Sequence, residues 1–201
     1  VSKMSMVDMG GYVIYASPDG LVTVQGQQIQ LVTEALLRRS QWQAYNPTTL
    51  KAMNYEGTYI ASNATQSIVF DPRGGKNALS TLSDTFKASY NHLETDCLYF
   101  VDGTSVKKFG QGSGSYTLTW KSKAFVSSQP RNFGWARVDA ASYPLTFKLY
   151  TDSTLDHTHN VLNSEPFRLP SGALAKSWEF EVYGTTPVNS VSIADTAAEL
   201  L

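Results

Sequence analysis

The stretch Tyr116–Phe125, YTLTWKSKAF, decides how the chain is read. Tyr116, Leu118, Trp120 and Ala124 fall on one side of an extended backbone, and Thr117, Thr119, Lys121 and Lys123 on the other, because successive side chains of a strand point to opposite faces. A half-buried strand is expected here, with Trp120 packed against Phe147 or Phe180 and Lys121 and Lys123 open to water or to a partner. The stretch also separates two textures: loosely repeating hairpins before it and regular alternation after it.

Working toward the carboxyl end, Leu145, Phe147 and Leu149 oppose Thr146, Lys148 and Tyr150. Trp178, Phe180 and Val182 oppose Glu179, Glu181 and Tyr183, and Val191 and Ile193 continue the pattern. Five or more period-two strands with Pro144, Pro166, Pro170 and Pro187 at their borders predict a small antiparallel β-sandwich over residues 114–195. A helical turn capped by Asp195, or a frayed end, would follow.

Toward the amino end, GYVIYASPDGLVTVQG from Gly11 holds two β-prone runs around Ser17-Pro18-Asp19-Gly20, a turn in which Pro18 presets φ and Asp19 bonds its own backbone. Ile29–Val32 reads as a strand, and Thr33 and Ser40 as caps of short helical turns that end at Asn46-Pro47, with Leu36 and Trp42 facing inward. Thr58–Ser62 and Gln66–Phe70 flank Asn63-Ala64-Thr65, and CLYFVDGTSVKKFG turns at Asp102-Gly103 with Val106 and Phe109 on the return. Tyr12 and Tyr59 lie 47 residues apart and Tyr59 and Tyr99 lie 40 apart, intervals close to the ~40–50 residues of a propeller blade. Three such hairpins make either an incomplete propeller-like set, completed by further chain or other subunits, or a plain meander. Gln111–Ser115 reads as the linker, so the expected fold is all-β, with a propeller-like hairpin region at 1–113 and a β-sandwich domain at 114–201.

The 201 residues carry 16 basic and 17 acidic side chains, and 42% are hydrophobic. Such a chain folds and lacks the basic field that nucleic-acid binding needs. Cys97, beside Leu98, Tyr99 and Phe100, reads as a small buried apolar residue. No apolar run reaches the ~20 residues of a membrane span, and VSKMSM is no signal peptide, so a soluble protein is expected. The start at Val1 fits a processed product, a piece of a longer chain or loss of an initiator Met.

Few residues point to chemistry. His157 and His159 share a strand face, as zinc ligands sometimes do, but Asp152 and Asp156 nearby supply no evident third ligand, and a solvated edge explains the pair better. His92 is isolated. Asp71, Asp84, Asp96 and Asp102 sit at turns, and Asp71–Lys76 lacks the spacing of a phosphate loop, Asn77 standing where a hydroxyl residue belongs. No catalytic, metal-binding or cofactor-binding residue is assigned. Trp135, Tyr150 and Tyr183 are the candidates for an exposed aromatic face of the sandwich, serving a protein interface or, as the lesser alternative, glycan stacking.

The passages GYVIYASPDGLV, RRSQWQAYNP, CLYFVDGTSVKKF, TWKSKAFVSSQPRNFGWARVDA and YPLTFKLYTDS with SEPFRLPSGALAKSWEFEVYGT resemble the carboxyl-terminal part of virion structural proteins of tailed phages and prophages. Within that group the chain is similar to propeller-containing nozzle or DNA-stabilising tail proteins of short-tailed phages, although complete nozzle-type chains are several times longer. The resemblance implies a non-enzymatic tail component that assembles with copies of itself and with other tail subunits. It would be located in the virion tail and, during assembly, in the host cytoplasm.

Overall fold

The computed structural model describes residues 1–75, 78–112, 114–170, 172 and 174–200. Lys76 and Asn77 of the loop compared with a phosphate motif, and Ser113 of the linker, lie outside the described residues. The chain is all-β, its sheets are antiparallel, and among the described residues none closes into a barrel. It divides into two compact units, residues 1–111 and 112–201. Among the described residues no helix is long and apolar enough to cross a membrane.

The first unit begins with β1 (Val7–Asp8), β2 (Val13–Ala16), β3 (Leu21–Gln25) and β4 (Gln28–Leu31), each paired with the next. The β2–β3 turn forms where expected, but by other contacts. Ser17 Oγ, not Asp19, accepts from the Asp19 and Gly20 amides, and Asp19 instead pairs with Arg39 at 2.6 Å. Gly20 is needed because a Cβ there would stand 2.3 Å from Thr33 Oγ1. Thr33 is no helix cap: its hydroxyl accepts from the Leu21 amide. The short α1 (Arg39–Gln43) brings Trp42 into the core, where its indole donates to the Ser17 carbonyl.

A second meander follows, β5 (Lys51–Tyr55), β6 (Thr58–Ser62), β7 (Ser67–Phe70) and β8 (Leu79–Leu82). A third comprises β9 (Ser89–His92), β10 (Cys97–Asp102) and β11 (Ser105–Lys108), with β10 in the middle. The middle meander is buried on both faces. Ala52, Tyr59, Ala61, Ile68 and Phe70 pack with Ile14, Ala16 and Leu21 of the first sheet. Met53, Ile60 and Val69, the alternate residues of the same strands, pack with Leu98 and Phe100 of the third. Register agrees, since Ala61 lies opposite Ala52 and Ile68, and Ile60 opposite Met53 and Val69. Each residue thus follows the period-two rule, yet apolar residues occur at both parities, as in Tyr59-Ile60-Ala61 and Ile68-Val69-Phe70, so the sequence does not alternate. Tyr59 is fully buried; its phenol donates to the Ser5 carbonyl at 2.8 Å, and burial pushes its pKa well above the usual value.

Cys97 does not behave as a buried apolar residue. Leu98 and Phe100 take the inward positions of β10, leaving Cys97 half-buried on the other face, where its thiol donates to the Thr95 carbonyl and the side chains of Thr95 and Lys108 lower its pKa.

In the second unit the strands are β12 (Leu118–Lys121), β13 (Phe125–Arg131), β14 (Trp135–Ala140), β15 (Leu145–Thr151), β16 (Thr154–Val161), β17 (Phe167–Arg168), β18 (Ala175–Gly184) and β19 (Val188–Ala194). One sheet runs β12-β18-β15-β16, with β13 also on β18; the other runs β17-β14-β19. Phe147, Leu149, Trp178, Phe180 and Val182 of the first sheet share a core with Ala136 and Val138 of the second.

The stretch Tyr116–Phe125 is not one strand. β12 pairs with Glu181–Gly184 and β13 starts on Trp178; between them Ser122 bonds Phe180, its amide donating to the carbonyl and its hydroxyl accepting from the amide. Trp120 does contact Phe180, at 5.7 Å between ring centroids, but it remains 46% exposed. The cause lies in the sheets rather than in the division of the chain: β12 is at an edge, and Trp120 lies outside the core that the β17-β14-β19 sheet covers.

Burial therefore ranks these rings. Phe147→Ala, at a fully buried position, is expected to cost about 3–5 kcal/mol in denaturant unfolding, and Trp120→Ala about half that or less. Equal losses would place Trp120 in the core.

Candidate functional site

Three surfaces are candidates for function. The first is the outer face of the β12-β18-β15-β16 sheet, where alternation puts Lys148, Tyr150, Glu179, Glu181 and Tyr183 opposite the core residues. Lys148 Nζ lies 2.9 Å from Glu181 Oε1, and the Tyr150 hydroxyl donates to Glu181 Oε2 at 2.9 Å. Lys121 Nζ sits 3.3 Å from Glu179 and 3.9 Å from the centre of the Tyr150 ring. Lys121 is therefore engaged by Glu179 and the Tyr150 ring while staying exposed, as expected. The hydrogen bond from Lys148 holds the Glu181 carboxyl below its usual range, while burial and Glu181 raise the Tyr150 phenol.

This network changes the standing of the three aromatics. Tyr150 has its hydroxyl and one ring face occupied. Tyr183, 48% exposed, pairs with Thr146, four residues along β15 from Tyr150, or about 13 Å at strand rise. Trp135 belongs to the other sheet; with Ala136 and Val138 in the core, it lies on that sheet's outer side. Alternation within a strand does not reveal which sheet the strand joins, so the expected common face of Trp135, Tyr150 and Tyr183 does not form. Sequence reasoning missed the aromatic pair that is clustered, Trp120 and Phe125. Phe125 stacks on Phe180 at 5.8 Å, and both Trp120 and Phe125 are exposed.

The second surface is in the first unit. Ile14, Ala16 and Leu21 face the core, so Val13, Tyr15, Val22, Val24, Ile29 and Leu31 share the opposite face of β2, β3 and β4. Among the described residues no sheet of that unit covers this face; Ile29 is 73% exposed, whereas Val22 is buried and Val13, Tyr15, Val24 and Leu31 are half-buried. At the other end of the stack, Tyr90, Tyr99, Val101 and Val106 share the outer face of β9, β10 and β11.

The third is the seam around His157 and His159. Both pair with core residues of β15, Leu149 and Phe147, and so face inward. The His159 ring stacks on Phe167 at 4.1 Å and stands 6.1 Å from the His157 ring. Asp152 is taken up by the Ser177 amide. Among the described residues, no three His, Cys, Asp or Glu side chains are grouped to hold a metal. No protein-family model and no curated protein matches the chain.

Burial and His157 lower the His159 pKa, so the unfolded chain takes up the proton first. The stabilisation is full above the ordinary histidine value, and stability should fall as pH drops below about 6.5. Thermal unfolding at stepped pH should show this slope, and His159→Gln should flatten it.

Proposed function

We propose that the chain is a structural component of a phage or prophage virion tail that works by protein–protein assembly, with its first unit an incomplete propeller-like set of sheets and its second a β-sandwich. Its partners are copies of itself and neighbouring tail subunits, and its places are the virion and the host cytoplasm during assembly. The reading assigns it no catalysis, no cofactor and no specific nucleic acid.

One observation carries the proposal: three meanders stack through apolar faces, and each terminal sheet ends on an outer face with exposed apolar side chains, Ile29 at one end and Tyr90 and Val106 at the other. Apolar side chains exposed together at the end of such a stack mark a candidate interaction site. The near-neutral charge of −1 suits a passage that does not grip phosphates.

Glycan binding is the lesser alternative and rests on Tyr183, since Tyr150 is engaged and Trp135 lies elsewhere.

Light scattering of the purified protein over a concentration series should show an assembly larger than the monomer. Ile29→Lys should weaken it roughly tenfold or more by placing an unpaired charge in the contact, with the melting temperature unchanged. A strictly monomeric protein absent from purified virions would contradict the assignment.

A further inference from the structure

A cleft of about 520 Å³ opens in the first unit between the start of β5, the turn after β6 and the segment leading into β9. Its lining carries two cations, Lys51 and Lys87, and no Asp or Glu. Lys51 Nζ donates to the Lys87 carbonyl at 3.1 Å, and Lys87 Nζ to the Gly103 carbonyl at 3.4 Å. A carbonyl takes one of an ammonium's three donors and none of its charge, so each lysine keeps two N–H groups unspent. The neighbouring acids serve another cation: Asp102 lies 2.5 Å from Lys107, and Asp84 adds to the field on that same lysine.

The walls are fixed by their own bonds. Asn63 Oδ1 accepts from the Thr65 and Gln66 amides, its Nδ2 donates to the Tyr45 carbonyl, and Ser62 Oγ joins the Asn63 carbonyl to the Phe86 amide. Phe86 gives the cleft apolar surface. The Asn46 side-chain amide and the Thr85 hydroxyl line it with no hydrogen bond to any described residue. The cleft thus offers a divalent positive charge, two uncommitted neutral polar groups and a volume within the ~300–1,000 Å³ of small-ligand sites. Two lysines are too few for a nucleic-acid track.

We propose that this cleft binds a small hydroxylated oxyanion, a sugar phosphate or an acidic sugar, with Lys51 and Lys87 on the anionic group and Asn46 and Thr85 on the hydroxyls. Each ammonium supplies a charge-assisted hydrogen bond, the strong kind. The assignment is independent of virion assembly, because Asn46, Lys51, Thr85 and Lys87 are not among the residues of the open sheet faces.

Isothermal titration of the full chain with glucose 6-phosphate, glucuronate, inorganic phosphate and glucose tests it. Saturable binding of glucose 6-phosphate or glucuronate is expected, inorganic phosphate binding more weakly and glucose not at all; which sugar binds assigns phosphate or carboxylate. Lys51→Gln and Lys87→Gln should each weaken binding about tenfold or more, the loss of one hydrogen bond to a charged group, with Lys87→Arg retaining it and the unfolding midpoints unchanged. The proposal is overturned if neither charged sugar binds, if glucose or inorganic phosphate binds as tightly as they do, or if both glutamine variants bind like the parent.

Discussion

Tyr59 and Ile60 are neighbours in the chain and belong to two different cores. The first unit depends on that. Because a strand sends successive side chains to opposite faces, a meander with apolar residues on both faces can be stable only with a sheet on each side. The β5–β8 meander has both, the β1–β4 sheet against Tyr59, Ala61, Ile68 and Phe70 and the β9–β11 sheet against Met53, Ile60 and Val69. The terminal sheets meet the same requirement on one face only. The outer face of β2–β4 therefore keeps apolar side chains, Ile29 among them, that no described sheet of the unit covers.

The second unit meets a related constraint differently. Its larger sheet gathers aromatic rings around Phe180, with Phe147 at 6.2 Å, Trp120 at 5.7 Å and Phe125 at 5.8 Å. Phe147 is closed over by Phe167 of the facing sheet, whereas Trp120 and Phe125 lie on the strands that flank the far side of β18 and stay exposed. On the outer side of the same sheet, charge replaces apolar contact. Lys148, Glu181, Tyr150, Lys121 and Glu179 satisfy one another, which leaves Tyr183 as the accessible ring there.

These features show how much was legible in the chain. Clean alternation at Leu145–Leu149 and Trp178–Val182 specified strands and inward residues correctly, and Ser17–Gly20 and Asp102-Gly103 specified turns. Alternation gives a side chain its face but not the extent of the sheet opposite, so Trp120 was placed inside a core that stops short of it. Nor does it say which sheet a strand joins, so Trp135 was grouped with Tyr150 and Tyr183. Doubly buried strands such as Thr58–Ser62 hide their periodicity, because both parities are apolar or small. The cleft was invisible for a further reason: Asn46, Lys51, Thr85 and Lys87 share no local pattern and meet only through the stacking of the second and third meanders.

The stack in the first unit is closed internally, and the proposed assembly would cover its β2–β4 face with another copy or subunit. Amide hydrogen exchange across a protein concentration series tests it most directly. The account predicts slow exchange for β6 and β7 at every concentration, and protection of β3 and β4 that rises as the protein associates. Exchange of β6 and β7 as fast as that of β4, or β3 and β4 unprotected in the assembled protein, would contradict it.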